Sequence, residues 1–193
     1  MSLDMIFLNR KYYKAQENRF LIAIALAVTL LASFPCSSFS EVQENRIKVA
    51  YIYNFAKFIN WPQTAFKGDN DPIVIGIYGD NPFADSWDAI RDKRVGERSI
   101  VVRDNVAPQD FSNVHILFIC ESERIRLPHI LEKLRNMPVL TVSDMSHFID
   151  HDGMIEMFKD ASAIRFKLNQ EAAKKANISI SSKLLNLSKD TKN

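Results

Sequence analysis

Apolar and polar positions alternate along the chain in a way that predicts an opening helix followed by strands and helices in turn. Residues 43–60 are mostly apolar, and a projection at about 100° per residue collects the polar side chains on one narrow stripe. Pro62 ends this predicted helix because the residue before a proline is disfavoured in the α region. We expect the rest of the helix surface to be buried. The stripe consists of Gln43, Arg46, Asn54, Lys57 and Asn60.

A continuous apolar run at residues 73–78 is rich in β-branched side chains and predicts a central parallel strand covered on both faces. Residues 79–83 then supply a tight turn, with Asn81 as the N-cap and Pro82 at the first helical position. The helix after this turn is expected to bury a stripe formed by Phe83, Ala84, Trp87 and Ile90.

The same alternation continues to the carboxyl terminus. Further strands are predicted at 99–103, 114–120 and 139–142, with a helix at 125–134. Strands separated by helices imply right-handed crossovers and a mainly parallel sheet.

The last part of the chain changes pattern. Residues 164–168 alternate apolar and charged side chains, which is typical of an edge or antiparallel strand, and they are expected to form a hairpin with 154–158. Asn169 is placed to cap a final helix through residue 176, with another short helix at 181–187. The predicted fold class is therefore α/β: a mainly parallel twisted sheet flanked by helices on both faces, three layers α/β/α, with an antiparallel C-terminal hairpin.

The amino terminus has the pattern of a secretory signal. Four basic residues precede a charge-free run at 20–34, and these 15 residues are short for a membrane span of about 20. Ser38 and Ser40 fit the −3 and −1 positions of a cleavage site. We predict a signal peptide at 1–40, cleavage after Ser40 and an exported domain at 41–193; an uncleaved anchor is the alternative.

Charge and cysteine content exclude several classes of function. The formal charge of +2 comes from residues 1–40, because the remainder holds 21 basic and 21 acidic side chains. A neutral body argues against nucleic-acid binding. Cleavage would remove Cys36 and leave Cys120 alone, so no intramolecular disulfide is expected, and Cys120 is interpreted as a buried small apolar residue.

The candidate catalytic and metal-binding residues have little support from their spacing and context in the sequence. His147 and His151 are four residues apart and would share a helix face, but a third ligand is missing and a solvated helix end capped by Asp144 is the favoured interpretation. His115 lies inside a strand run and is expected to be a hydrogen-bonded core histidine. Glu121 and Glu123 follow a strand, where acids are commonly solvated. We predict no enzyme, no cofactor and no metal.

Lys48 is an exception on the opening helix, because it lies among apolar side chains. Its aliphatic stem could snorkel to solvent, or its charge could form a salt bridge with a buried acid. A ligand crevice is also expected where the parallel strands end, lined by loops 79–82, 121–123 and 143–144.

Several segments of the chain resemble the exported YfiR-like proteins, which include the HmsC group. They occur in the same order and span nearly all of residues 46–188. The segments are 48–62 (KVAYIYNFAKFINWP), 79–83 (GDNPF), 115–119 (HILFI), 139–144 (VLTVSD), 153–155 (GMI), 164–169 (IRFKLN) and 181–185 (SSKLL).

The resemblance implies a periplasmic regulator that binds and represses the periplasmic sensor domain of a membrane-bound diguanylate cyclase of the YfiN type, which lowers cyclic di-GMP and biofilm formation. It also implies a homodimer and a possible YfiB-type outer-membrane lipoprotein partner. The best-known family pattern includes disulfide-forming cysteines, whereas residues 41–193 hold only Cys120. The alternative function is a small-molecule sensor that uses the strand-end crevice.

The resemblance motifs also select a set of candidate binding residues at the strand ends. Lys48 is expected to pair with a carboxylate at this edge, and Asp144 is the first choice because both residues lie in these motifs. The candidate partner- or ligand-binding residues are Lys48, Gly79, Asp80, Asn81, Ser143 and Asp144.

Overall fold

The computed structural model of the protein describes residues 37–192, with side chains from residue 41 onward. The fold described is that of the unit Glu41–Asn193. The predicted signal sequence, including its apolar run at 20–34 and the side chains at the cleavage site, lies outside the described residues. Within the described part of the chain, no helix is both long and apolar enough to cross a membrane.

Helix α1 (Ser37–Phe58) is buried along one side only. The expectation that all of its surface outside the polar stripe is buried is wrong, because Val42 and Ile47 are 50% and 36% exposed. Val49, Ile52 and Phe55 are fully buried, whereas the five side chains of the predicted polar stripe are exposed. The helix ends two residues earlier than predicted. Ile59–Asn60 instead forms the short strand β1, which pairs antiparallel with β9 (Ser179–Ile180).

The main sheet has eight strands, of which five run parallel. Its strands are β2 (Ile73–Tyr78), β3 (Arg94–Val95), β4 (Arg98–Arg103), β5 (Ile116–Ile119), β6 (Leu140–Ser143), β7 (Ile155–Asp160), β8 (Ala163–Asn169) and β10 (Thr191–Lys192). Their spatial order is β10-β8-β7-β6-β5-β2-β4-β3. Strand β2 lies between β4 and β5 and is parallel to both, which confirms the predicted central strand. Strands β7 and β8 form the predicted antiparallel hairpin.

Helices cover both faces of the sheet, so the three-layer α/β/α prediction is confirmed. On one face, α1 packs with α3 (Gln170–Lys175) and α4 (Ser182–Leu187) around a core that includes Phe55, Phe118 and Phe166. On the other face, α2 (Leu127–Leu134) packs over a second core. Asn169 caps α3 as predicted, because its side chain accepts a hydrogen bond from the backbone N–H of Ala172.

Two predicted helices differ from the structure in type or start. The helix expected after Asn81 is a 3₁₀ helix at Ala84–Ala89, and the Asn81 side chain accepts from the backbone N–H of Phe83, where it closes a turn and does not cap an α-helix. Ala84 is exposed with a φ of 43°, so its expected burial is wrong. The helix predicted from residue 125 begins at Leu127, because Glu121–Arg126 forms a 3₁₀ helix.

His115 is the hydrogen-bonded core histidine that the sequence predicts. Its Nδ1 accepts a hydrogen bond from the backbone N–H of Val74 (3.0 Å), and its Nε2 lies 3.1 Å from the backbone oxygen of Ala65. The ring also stacks on Phe66. Both contacts are satisfied only by the neutral ring with its proton on Nε2. Burial lowers the pKa of His115, against the smaller opposing effect of its hydrogen bond to Ala65.

The neutral state of His115 makes stability depend on pH. Because the pKa of His115 is lower in the folded state than its unfolded value of about 6.5, the unfolded chain protonates first as pH falls. We expect the free energy of unfolding to decrease below pH 6.5 by at most about 1.4 kcal/mol per pH unit, until the folded-state pKa is reached. Urea unfolding of the wild type and of His115→Gln at several pH values measures this decrease in the free energy of unfolding.

The comparison with His115→Gln isolates this residue, because the exposed histidines His129, His147 and His151 are present in both proteins. Parallel pH profiles for the two proteins would contradict the assignment of His115 as a neutral core residue.

Candidate functional site

The carboxyl ends of β2, β5 and β6 meet at one edge of the sheet, as parallel strands require. The loop after β2 and the loop after β5 contact each other directly at this edge. The backbone N–H of Asp80 donates to Ser122 Oγ at 2.9 Å. Gly79 has a φ of 99°, and a Cβ there would lie 2.5 Å from the same oxygen. Glycine is therefore required for this close approach.

A buried serine connects the carboxyl end of β6 to the carboxyl end of β5. Ser143 Oγ donates to the backbone oxygen of Ile119 (2.7 Å) and accepts from the backbone N–H of Met145 (3.1 Å). The side chain is fully buried. Ser143 thus connects β5 to the loop after β6 and presents no polar group to solvent.

Helix α1 lies over this edge and is attached to it by charged and polar side chains. Lys48 Nζ lies 2.8 Å from Asp144 Oδ2 and 2.9 Å from Glu44 Oε1, and Glu44 in turn pairs with Lys159 on β7 (3.1 Å). Asn45 Nδ2 donates to the backbone oxygen of Pro82 at 2.7 Å. The predicted pairing of Lys48 with Asp144 is present, and simple snorkelling of Lys48 is wrong.

This chain of four charges, Asp144–Lys48–Glu44–Lys159, is called the edge ion chain below. Burial alone would lower the pKa of Lys48, but hydrogen bonds from Lys48 to Asp144 and Glu44 outweigh it and hold that pKa above its ordinary value. The hydrogen bond from Lys48 likewise holds the pKa of Glu44 below its ordinary value, against burial. The charged forms of both residues are therefore stabilised.

The structure brings the candidate residues to one edge, where most of them are bound by partners within the chain. Lys48 and Asp144 contact each other, and Asp80 contacts the loop after β5. Asn81 Nδ2 donates to Asp104, in the loop after β4. Side chains of α1 reach this edge at Pro82 and Asp144.

A cavity of about 210 Å³ lies elsewhere, between α2, α3 and the segment before β7. Apolar, polar and charged side chains line it. The lining includes the apolar Leu131, Leu134, Met154 and Ala172, the buried Thr141, and the charged or titratable Glu132, Arg135, His151, Asp152 and Lys175. Nothing in the sequence indicated this cavity, because it forms between elements that are distant along the chain.

The two histidines near residue 150 do not share a helix face. Only Ile149–His151 is helical, as a single 3₁₀ turn, and His147 has a φ of 64° and contacts Asp150. Asp144 does not cap this segment as predicted, because its carboxylate is bound to Lys48. In residues 41–192, no group of three or more His, Cys, Asp or Glu side chains is placed to hold a metal ion.

Cys120 is buried at the end of β5, which confirms its interpretation as a small apolar residue. Burial, together with the negative charges of Asp144 and other nearby acids, raises the pKa of the Cys120 thiol to about 12. A thiol with this pKa is protonated at neutral pH and unreactive.

Glu123 is a functional candidate that the sequence interpretation missed. Its side chain is only 5% exposed, so the expectation of a solvated acid is wrong, whereas Glu121 is exposed as expected. One oxygen of Glu123 accepts from Arg126, and the other is buried without a donor among the described residues. The spacing of three residues in Glu121–Arg124 and Glu123–Arg126 was the available signal.

Comparison with known proteins identifies the family. The YfiR/HmsC-like family matches residues 45–189. The chain belongs to this family. The YfiR/HmsC-like family is periplasmic and regulatory, and membership connects the protein to cyclic di-GMP signalling. A search of curated proteins found no match to this chain.

Two solved structures are similar in fold. A conserved domain protein from Vibrio cholerae O1 biovar El Tor is 9% identical with a TM-score of 0.51, and the match covers 77% of this chain and 60% of that one. An ABC domain in complex with L-Trp from Streptococcus pneumoniae is 7% identical with a TM-score of 0.44, covering 63% of this chain and 55% of that one. The first similarity supports the fold alone.

The edge ion chain generates a prediction about stability. Lys48 and Asp144 are 11% and 21% exposed at their side chains, so the pair is intermediate between a buried and an exposed salt bridge. We expect Lys48→Met to reduce the free energy of unfolding by about 1–3 kcal/mol, and Asp144→Asn to cost less because Glu44 still pairs with Lys48. Urea denaturation of both variants and the double variant gives the coupling energy.

An exposed ion pair serves as the control for this cycle. Arg91 and Asp88 are each about two thirds exposed, and their coupling is expected to lie within about 0–1 kcal/mol. A Lys48–Asp144 coupling no larger than that of Arg91–Asp88 would contradict a structural role for the edge ion chain.

Proposed function

We propose that this protein is a periplasmic negative regulator that binds the periplasmic sensor domain of a membrane-bound diguanylate cyclase. Binding represses the cyclase and lowers cyclic di-GMP and biofilm formation. The observation that carries the proposal is the family match over residues 45–189, which includes every residue of the edge ion chain except Glu44.

The use of polar groups at the sheet edge supports a binding role. Lys48, Asp144, Asn45 and Ser143 are each engaged by partners within the chain. Groups held in this way organise a surface, because none is left free to transfer a proton or attack a substrate. A regulator that works by contact requires only such a preorganised surface.

The alternative function, a small-molecule sensor at the strand-end crevice, has weaker support. Side chains of α1 cover that edge, and the cavity that lies elsewhere has a volume of about 210 Å³. Pockets for small organic ligands are usually about 300–1,000 Å³. Repression of a partner protein is therefore the favoured function.

The proposal includes export and assembly. The signal peptide at 1–40 would direct the chain to the periplasm, where the sensor domain lies. A homodimer and binding to a YfiB-type outer-membrane lipoprotein belong to the same proposal. The lipoprotein would release the cyclase from repression by sequestering the regulator.

Export predicts a processed amino terminus. Protein purified from the periplasmic fraction is expected to begin at Glu41, since cleavage is predicted after Ser40. Amino-terminal sequencing or intact mass measurement checks this. A periplasmic or membrane-bound chain that retains residues 20–34 would indicate an uncleaved anchor instead.

Repression predicts the effect of losing the protein. Deletion is expected to raise cellular cyclic di-GMP and biofilm formation, because a cyclase loses its inhibitor. Deleting the partner cyclase as well is expected to return cyclic di-GMP to its original level. The partner is identified by deleting, one at a time, the membrane cyclases that have periplasmic domains. Nucleotide measurement by mass spectrometry in the single and double deletions decides the outcome.

A matched control tests whether repression requires export of the protein to the periplasm. The deletion strain is complemented with the wild type or with a chain lacking residues 2–34, which is not exported. Only the exported wild type is expected to restore low cyclic di-GMP. Unchanged nucleotide in the single deletion, with every candidate cyclase expressed, would refute the proposed repression.

A further inference from the structure

Residues 61–72 form a surface segment, called the strap below, that runs from the end of β1 to the start of β2. It contains one short 3₁₀ helix, Gln63–Ala65. All of its side chains are half-buried or exposed, so the strap contributes no fully buried side chain to either core. Segments with few buried apolar contacts open at the lowest free-energy cost while the rest of a domain stays folded.

A single histidine of β5 fastens the strap to the sheet. Nε2 of His115 donates to the backbone oxygen of Ala65 (3.1 Å), and the His115 ring stacks on Phe66 with 4.5 Å between the ring centroids. The backbone oxygen of His115 accepts a hydrogen bond from Nε1 of Trp61 (3.2 Å). His115 therefore holds three positions of the strap.

The same histidine also holds the beginning of β2, where the strap joins the sheet. Nδ1 of His115 accepts from the backbone N–H of Val74 (3.0 Å), and the backbone N–H of His115 donates to the backbone oxygen of Val74 (2.8 Å). The regular pairing of β2 with β5 starts only at Ile75 and Ile116. The imidazole thus extends the contact between the two strands beyond their regular register.

A protonated His115 cannot keep this arrangement. Doubly protonated imidazole has two N–H donors and no acceptor. Its Nδ1–H would face the backbone N–H of Val74, and this donor, on a residue that is only 4% exposed, would lose its partner. Because an unpaired buried N–H is costly, protonation favours a conformation in which the strap and the ring separate.

The charges around His115 act in the same direction. Burial holds the pKa of His115 below its ordinary value, and the positive charges of Arg98 and Arg103 on β4 lower that pKa further, against a smaller opposite effect of Asp71 in the strap. Arg98 also lies over the Phe66 ring, with its Cζ 3.7 Å from the ring centroid. A protonated His115 would therefore have to share Phe66 with a guanidinium group.

We propose that protonation of His115 in a mildly acidic medium releases the strap from the sheet while the rest of the domain stays folded. The released strap moves Trp61 and Phe66 away from His115 and uncovers the amino ends of β2 and β5. Acid thereby changes the surface that this protein presents. The switch is a property of the folded domain and does not depend on the proposed function.

Proton linkage gives the size of the expected effect. In the open strap His115 is solvated and has its ordinary pKa of about 6.5, whereas in the closed strap that pKa is lower. The open form therefore binds the proton first as pH falls. The equilibrium constant for opening is expected to rise by up to about tenfold per pH unit below about pH 6.5, until the pKa of the closed form is reached.

Hydrogen exchange measured by mass spectrometry tests the switch in protein purified from the periplasmic fraction. Protection factors, corrected for the intrinsic pH dependence of exchange, are compared between about pH 7.5 and about pH 5.5. Peptides that cover residues 61–74 are expected to lose protection by about threefold or more on acidification. Peptides that cover β6, residues 139–143, are expected to keep their protection.

A matched pair of histidine variants assigns the response to one residue. His115→Gln retains an amide oxygen that can accept from Val74 but has no group that titrates here, so its strap protection is expected to be independent of pH. His129→Gln removes an exposed histidine from α2 and is expected to respond to acid as the wild type does.

Three results would overturn the switch. The first is an equal acid-induced loss of strap protection in the wild type and His115→Gln. The second is an unchanged strap in the wild type at the lower pH. The third is a parallel loss of protection in β6, which would mean that acid unfolds the whole domain.

A measurement on the wild type keeps the test decisive if His115→Gln does not fold. The ring nitrogen chemical shifts of His115 report its protonation directly, and they are expected to change over the same pH range in which the strap loses protection. A ring that stays neutral while the strap opens would equally overturn the switch.

Discussion

The charge of Lys48 and its compensation organise the sheet edge of this protein. A lysine on the apolar face of a helix carries a desolvation penalty, which two carboxylates offset here: Asp144 from the end of β6 and Glu44 from the previous helical turn. Lys159 extends the contacts to β7. Since Lys48 lies on α1 and Asp144 at a strand end, their pairing fastens α1 to this edge of the sheet, while its buried apolar side chains hold it on the sheet face.

That placement determines what kind of function the edge supports. In an open α/β sheet the strand ends usually form a ligand crevice, but here α1 extends Asn45 and Lys48 across it, and Ser143 is buried beneath. Polar groups that would serve a ligand are used within the chain. The 3₁₀ helix that carries the exposed Ile125 lies beside these loops.

The prediction failed where backbone conformation depends on contacts between distant residues. Ala84 and His147 have positive φ angles, which no local pattern of apolar residues reveals, and they convert expected α-helices into 3₁₀ turns. Glu123 was expected in solvent but is buried under the loop of Gly79. For Glu123 the neighbouring atoms come from another loop at the same edge, so spacing along the chain could not show its burial.

The sequence alone determined the order of strands and helices, the buried side of α1, the core positions of His115 and Cys120, and the family, because periodicity and ordered motifs are local properties of a chain. The pairing of Lys48 with Asp144 could be anticipated but not established, since a carboxylate 96 residues away must be brought within 3 Å. Only the tertiary structure decided that side chains of α1 reach the strand-end edge, that Glu123 is buried and that Ile125 is exposed. Burial is a property of neighbours in space, and the neighbours at this edge come from six separate segments of the chain.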